Sequence, residues 1–191
     1  MARTRKKEQP ALAIVTEAPA PELPSLAAAA DEGAPDPSFG SGENAHIVVF
    51  RSGDGFFGID IGIVQEIVLM QDITPVPGSA PYIAGMTDLR GRVIPVAAFS
   101  TLLGRDPSER TDDTRILVVE NGSGHIGFIV DSVTEVMMVD GGRIEDASAI
   151  GSRDHDFIVA VAKLDEHLVS LMDVPRLLAS ADASAGMAVA A

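Results

Sequence analysis

The chain has 191 residues and a mass of 19.9 kDa, enough for one ordinary domain or two very small ones. Hydrophobic residues make up 46%, which supports a real core, while 14 Lys and Arg against 28 Asp and Glu leave a net charge of −14 that repels phosphate backbones and anionic lipid. Cysteine is absent, which excludes disulfides, thiolate nucleophiles and Cys-based metal sites and fits a reducing compartment.

Residues 1–45 contain 11 Ala and 6 of the chain's 12 Pro, without a sustained period of 2 or 3.6. Such a stretch buries too little apolar surface to offset its ordering entropy, so it reads as a disordered leader, either a solvated tail or a docking tether. Its apolar run Ala11–Val15 is too short for a secretion signal, and no run in the chain approaches the roughly 18 residues that cross a bilayer. The expectation is a soluble, cytoplasmic protein whose folded part spans 46–180, with 181–191 as a tail.

Ile47–Arg51 reads as a strand ending in the turn signal Ser52-Gly-Asp-Gly55, and Phe56–Ile61 as its hairpin partner. Ile63–Met70 reads as a third strand beside that hairpin. Ser79–Gly85 reads as a short helix, with Ser79 as cap, Pro81 in the first turn and Gly85 as the stop. Leu89-Arg-Gly-Arg is a second hairpin turn leading into Val93–Ala97, and Pro95 puts that strand at a sheet edge or beside a bulge. Thr101–Gly104 is one helical turn closed by glycine, and the polar stretch Gly104–Arg115 is a connector.

The second half repeats the first. Shifted by 69, residues 48–68 lie without a gap on 117–137, with Val49/Val118, Gly53/Gly122, Gly55/Gly124, Gly58/Gly127, Val64/Val133 and Glu66/Glu135 identical. Shifted by 75, residues 82–103 lie on 157–178, and the difference in offset, 75 − 69 = 6, is a loop insertion within 138–156. Each unit of about five short strands suits a small barrel that closes its own edges, the first over about 46–103 and the second over about 115–178. A unit of about 65 residues is marginal alone, so the two are expected to share a core or a tight seam.

Few residues carry chemistry. Gly53-Asp-Gly55-Phe-Phe-Gly58 is a literal G-x-G-x-x-G, but a strand follows it where a dinucleotide site needs a helix, and the pattern recurs at Gly122, Gly124 and Gly127 as a duplicated hairpin would require. His46, His125, His155 and His167 stand singly, without a ligand set. No G-x-S-x-G turn occurs, and Asp112-Asp113 lies in the polar connector. No catalytic, cofactor or metal site is expected. At the second hairpin Arg90 aligns with Asp165, a charge reversal that marks a solvent-facing tip suited to a protein contact.

Phe57-Gly-Ile-Asp-Ile61, Val64-Gln-Glu-Ile67, Pro81-Tyr-Ile-Ala-Gly85, Leu89-Arg-Gly91, Val93-Ile-Pro-Val96, Gly127-Phe-Ile-Val-Asp131 and Val133-Thr-Glu-Val136 together resemble, in order, the CheW-like domain of bacterial chemotaxis. The resemblance covers roughly 46–178. It implies a mainly β fold of two tandem, intertwined five-stranded β-barrels with short helices and a C-terminal helix. It also implies a non-catalytic adaptor joining chemoreceptor tips to the regulatory domain of the histidine kinase CheA, and so reaching membrane receptor arrays through its partners. Residue by residue, it implies that Val64, Glu66, Gly85, Arg90 and Gly91 lie on or support partner surfaces, and that Gly127, Val133 and Val136 line a groove where a receptor hairpin docks. Departures from the family pattern are Asp88, where an asparagine is usual, and Ala98-Phe99, where an aspartate-leucine pair is usual; Asp88 is placed to form an ion pair with Arg90. The alternative is a divergent CheW-like scaffold of another signalling complex, recruited through the leader.

Overall fold

The computed structural model describes Phe39 and residues 44–122, 124–147, 156–164 and 167–188. The first half supplies β1 (Ala45–Ser52), β2 (Gly55–Asp60), β3 (Val64–Leu69), β4 (Ile83–Leu89), β5 (Arg92–Ala98) and the single-turn α1 (Phe99–Leu102). The second supplies β6 (Arg115–Asn121), β7 (Gly124–Val130), β8 (Ser132–Val139), β9 (Ile144–Asp146), β10 (Ile158–Lys163), β11 (Leu168–Met172) and α2 (Val174–Ala188). The hairpins β1–β2 and β6–β7 close over Ser52↔Gly55 and Asn121↔Gly124, with Gly53 and Gly122 at φ +59° and +58°. The G-x-G-x-x-G strings are therefore the same hairpin turn twice.

The halves exchange strands. One sheet runs β8-β1-β2-β11-β10-β9 and the other β3-β6-β7-β5-β4. Each is built on the first hairpin of one half, flanked by the third, fourth and fifth strands of the other. Residues 46–103 and 115–178 each contribute to both sheets, so neither barrel is one contiguous segment. The parallel pairings β2·β11 and β5·β7 are the seams. The first sheet has six strands rather than five, because the segment after β8 forms β9 and pairs with β10, whereas its counterpart in the first half makes the isolated bridge Thr74↔Met86.

Both faces of the central hairpins are buried. On β1, Ile47 and Val49 join the apolar cluster of the first sheet, while Val48 and Phe50 join a larger cluster shared by the sheets. On β6, Ile116 and Val118 fill the second sheet's cluster, and Leu117 and Val119 face the shared one. Phe99 stands in the middle of the shared cluster, fully buried, with its ring 4.9 Å from Phe50, 5.2 Å from Phe57 and 6.0 Å from Phe128, each at an edge-on angle. The common core expected of two marginal units is this cluster.

Local departures from the sequence reading have local causes. Ser79–Gly85 is not a helix. Ile83 donates its N–H to Ala80 O in a turn, and β4 starts at once. Gly85 lies within that strand at φ +150°, where the Thr74 carbonyl comes so close that a Cβ would sit 2.3 Å from its oxygen. β5 is an internal strand, so Pro95 is not at an edge; the alternative holds, because a register shift between Ile83 and Gly85 places a bulge opposite the neighbouring pairs. The boundary at residue 45 is also displaced, since Ala45 begins β1 and Phe39 is buried in the first sheet's cluster; the rest of the leader lies outside the described residues.

The two helices differ at both ends: α1 is closed after one turn by Gly104 at φ +70°, and it also lacks the side-chain cap that α2 has. Ala98 precedes α1 without a side-chain bond, whereas its repeat counterpart Asp173 accepts from the Arg176 N–H at 3.0 Å, and α2 runs for 15 residues. The helix continues past residue 180, packing Ala181 against the shared cluster and bonding Asp182 to the Tyr82 hydroxyl, so the expected tail is largely part of the fold. Burial, and then the Asp182 carboxylate, push the Tyr82 phenol well above its ordinary value near 10. The folded phenol thus stays protonated where the unfolded one ionises. Its contribution to stability is fully present below about pH 10 and is lost as pH rises further. With one Tyr and no Trp in the chain, tyrosinate absorbance reads this group alone. Its onset is expected well above pH 10 in the native protein, and Tyr82→Phe is expected to flatten the alkaline loss of stability measured by urea unfolding.

Candidate protein-docking site

Arg90 and Gly91 form the two-residue turn between β4 and β5, closed by the pair Leu89↔Arg92. Arg90 is the one non-glycine residue at positive φ among the described residues, at +53°, and Gly91 follows at +82°. Both angles suit the primed turn that matches strand twist, but a left-handed arginine costs about 1–2 kcal/mol where asparagine or glycine would cost less. Asp88 does not pair with Arg90. Its Oδ1 accepts from the Gly91 N–H at 2.8 Å and so holds the turn. The guanidinium instead pairs with Glu66 on β3, with the arginine side chain 81% exposed and the glutamate 20%. The structure therefore brings together two of the residues expected at the site, Glu66 on the edge strand β3 and Arg90 in the turn that follows the other edge strand, β4.

The remaining expected residues divide between surface and support. Gly91 is exposed with open space beside it. Val136 is 46% exposed on β8. Val64 and Val133 are half-buried against the shared cluster. Gly85 and Gly127 are buried, so Gly127 does not line a surface groove. A Cβ on Gly127 would lie 2.7 Å from Ile116 Cγ2, and one on its counterpart Gly58 would lie 2.8 Å from Leu171 Cδ2. Each glycine lets one barrel interior fill. Asp165, the expected counterpart of Arg90, lies outside the described residues.

Apart from Val136, sequence reasoning missed the exposed apolar positions. Ile67, Leu69, Val93, Val136, Met138 and Leu168 are the exposed large hydrophobics among the described residues. They form three repeat pairs: Ile67/Val136 and Leu69/Met138 at the 69-residue shift, and Val93/Leu168 at the 75-residue shift. The first two pairs face outward on β3 and β8, which are edge strands of their sheets. Edge strands expose unpaired backbone groups, so outward apolar residues there favour contact with another chain. The apolar residues of β3 do not alternate with polar ones in the sequence, so which of its faces is buried is set by sheet order.

No group of three or more potential metal ligands occurs among the described residues, and no helix there is long and apolar enough to cross a membrane. What the surface offers is contact, with apolar edges beside an exposed arginine, as in a scaffolding or adaptor protein. The CheW-like domain family matches residues 46–182, and the chain belongs to that family. The chain is 29% identical to Chemotaxis protein CheW of Rhizobium meliloti over 140 residues, covering 73% of this chain and 90% of the relative. It is 32% identical to Chemotaxis protein CheW of Bacillus subtilis over 133 residues, covering 69% and 85%. The crystal structure of scaffolding protein TtCheW from Thermoanaerobacter tengcongensis superposes with a TM-score of 0.65 at 32% identity, covering 71% of this chain and 92% of that one.

Two outcomes follow for the site residues. Gly127→Ala is expected to lower stability by about 1–3 kcal/mol, because the Ile116 methyl it meets is fixed by β-branching; the urea midpoint reads this. Arg90→Asn removes an exposed ion pair worth about 0–1 kcal/mol and relieves the left-handed arginine, so its melting temperature is expected to match or exceed that of the wild type.

Proposed function

We propose that the protein is a non-catalytic adaptor coupling chemoreceptor tips to the regulatory domain of the histidine kinase CheA, working in the cytoplasm and reaching receptor arrays through those partners. The observation that carries this reading is the duplicated exposed apolar row on β3 and β8. An adaptor must grip two partners at once, and a duplicated fold with one apolar edge per half supplies two docking faces in a fixed relation. In the second sheet β3 also carries Glu66, whose pair with Arg90 offers a directed polar contact on the same strand as the apolar row.

Capture of the kinase regulatory domain and of a receptor hairpin fragment tests the reading. Arg90→Glu faces Glu66 with a like charge at an exposed tip, so it is expected to fold normally by circular dichroism and to lose capture of at least one partner by tenfold or more. Equal capture of both partners by variant and wild type would overturn the role of this tip. Failure of the wild type to capture either partner would overturn the adaptor reading. A truncation test of the leader should remove residues 1–38 only, since Phe39 belongs to the core.

A further inference from the structure

The apolar clusters of the two sheets are built from repeat-equivalent residues, with Val49, Leu164 and Val169 of the first matching Val118, Leu89 and Ile94 of the second. Over that floor the halves differ. In the first sheet Phe56 packs against the cluster, and its ring stacks on His167 at 4.0 Å and an interplanar angle of 12°. At the 69- and 75-residue shifts, the matching positions are His125 and Arg92. No phenylalanine covers the floor there among the described residues. Leu89, Ile94 and Val118 instead form the base of a concavity of about 220 Å³, with Arg90, Arg92, His125 and Glu66 around it.

The charges at this rim do not cancel evenly. Glu66 is taken by Arg90. Glu120, opposite His125 across the β6–β7 ladder, accepts from the Gln65 amide at 3.1 Å. Arg92 is exposed and makes no ion pair among the described residues. We propose that this concavity binds a partner segment that lays an aromatic or aliphatic side chain over Leu89, Ile94 and Val118 and brings a carboxylate to Arg92. Phe56 shows in the first half what fits over such a floor, and the exchange of His167 for Arg92 adds the demand for an acid. The inference rests on the adaptor reading, because the occupant is a segment of a partner protein.

The test titrates the ¹⁵N-labelled full chain with the blocked peptide acetyl-Glu-Phe-Glu-Ala-amide and with its Gln-Phe-Gln counterpart. The acidic peptide is expected to shift the amides of Leu89, Arg92, Ile94 and His125 and to saturate at about fivefold lower concentration than the neutral one, the order of one charge pair at an exposed site. Arg92→His combined with His125→Phe installs the first half's ring pair and leaves Glu66 and Arg90 in place; it is expected to abolish binding of both peptides. Should that double variant not fold, Arg92→Gln alone is expected to erase the difference between the two peptides. Equal saturation by both, shifts confined to other surfaces, or undiminished binding to the variants would overturn the proposal. If the wild type captures its partners but ignores the acidic peptide, the pocket falls and the adaptor reading stands. If the peptide binds but neither partner is captured, the adaptor reading falls and the pocket stands.

Discussion

The exchange of strands between the halves is the constraint on which everything else depends. A unit of about 65 residues cannot bury enough apolar surface to stand securely alone. Here each hairpin accepts the last strands of the other half through the parallel seams β2·β11 and β5·β7. Hairpin residues that would otherwise face water, such as Val48, Phe50, Leu117 and Val119, then meet in one shared cluster around Phe99. Neither barrel can form without residues from both ends of the folded chain. Folding is thereby tied to long-range pairing, and the two exposed apolar edges are held in a fixed relation.

The repeat was legible because interior positions answer to geometry. Gly58 and Gly127 recur since a Cβ at either would enter a barrel interior, and Val49/Val118 and Val64/Val133 recur since each faces a cluster. The hairpin turns were legible for the same reason. What escaped was whatever depends on a distant segment. Ser79–Gly85 carries helix signals at both ends, yet Thr74 bridges Met86 and draws the segment into a strand. Phe39 lies in a stretch whose composition predicts disorder, and only the proximity of the first sheet's cluster gives its ring a place. Asp88 and Arg90 are two apart in sequence, but the ion pair goes to Glu66, which only the folding of the sheet brings near.

Where the copies diverged, function and stability separate. Asp173 caps a 15-residue helix, and Ala98, its counterpart, precedes a single turn. The missing cap is compensated by Phe99, whose ring fills the shared core. Near the hairpin tip the divergence is chemical: a left-handed arginine braced by Glu66 stands above a pocket whose equivalent is covered by Phe56. Strain of this kind persists only where the surrounding structure enforces it, here the Asp88 bond to Gly91 and the pairing of Leu89 with Arg92.

Outward apolar side chains on two edge strands would ordinarily invite self-association. The net charge of −14 opposes that by long-range repulsion between like copies. The two effects act over different distances. Repulsion between exposed charges is screened within about 8 Å at physiological ionic strength, whereas the apolar edges act only on contact. A second copy of this chain brings the same negative field, which opposes the close approach of the two edges. A partner that places basic or neutral surface around its own apolar contacts meets no such barrier. Under the adaptor reading, the acidic composition, which first excluded nucleic acid, therefore also disfavours strongly acidic partner surfaces around β3 and β8.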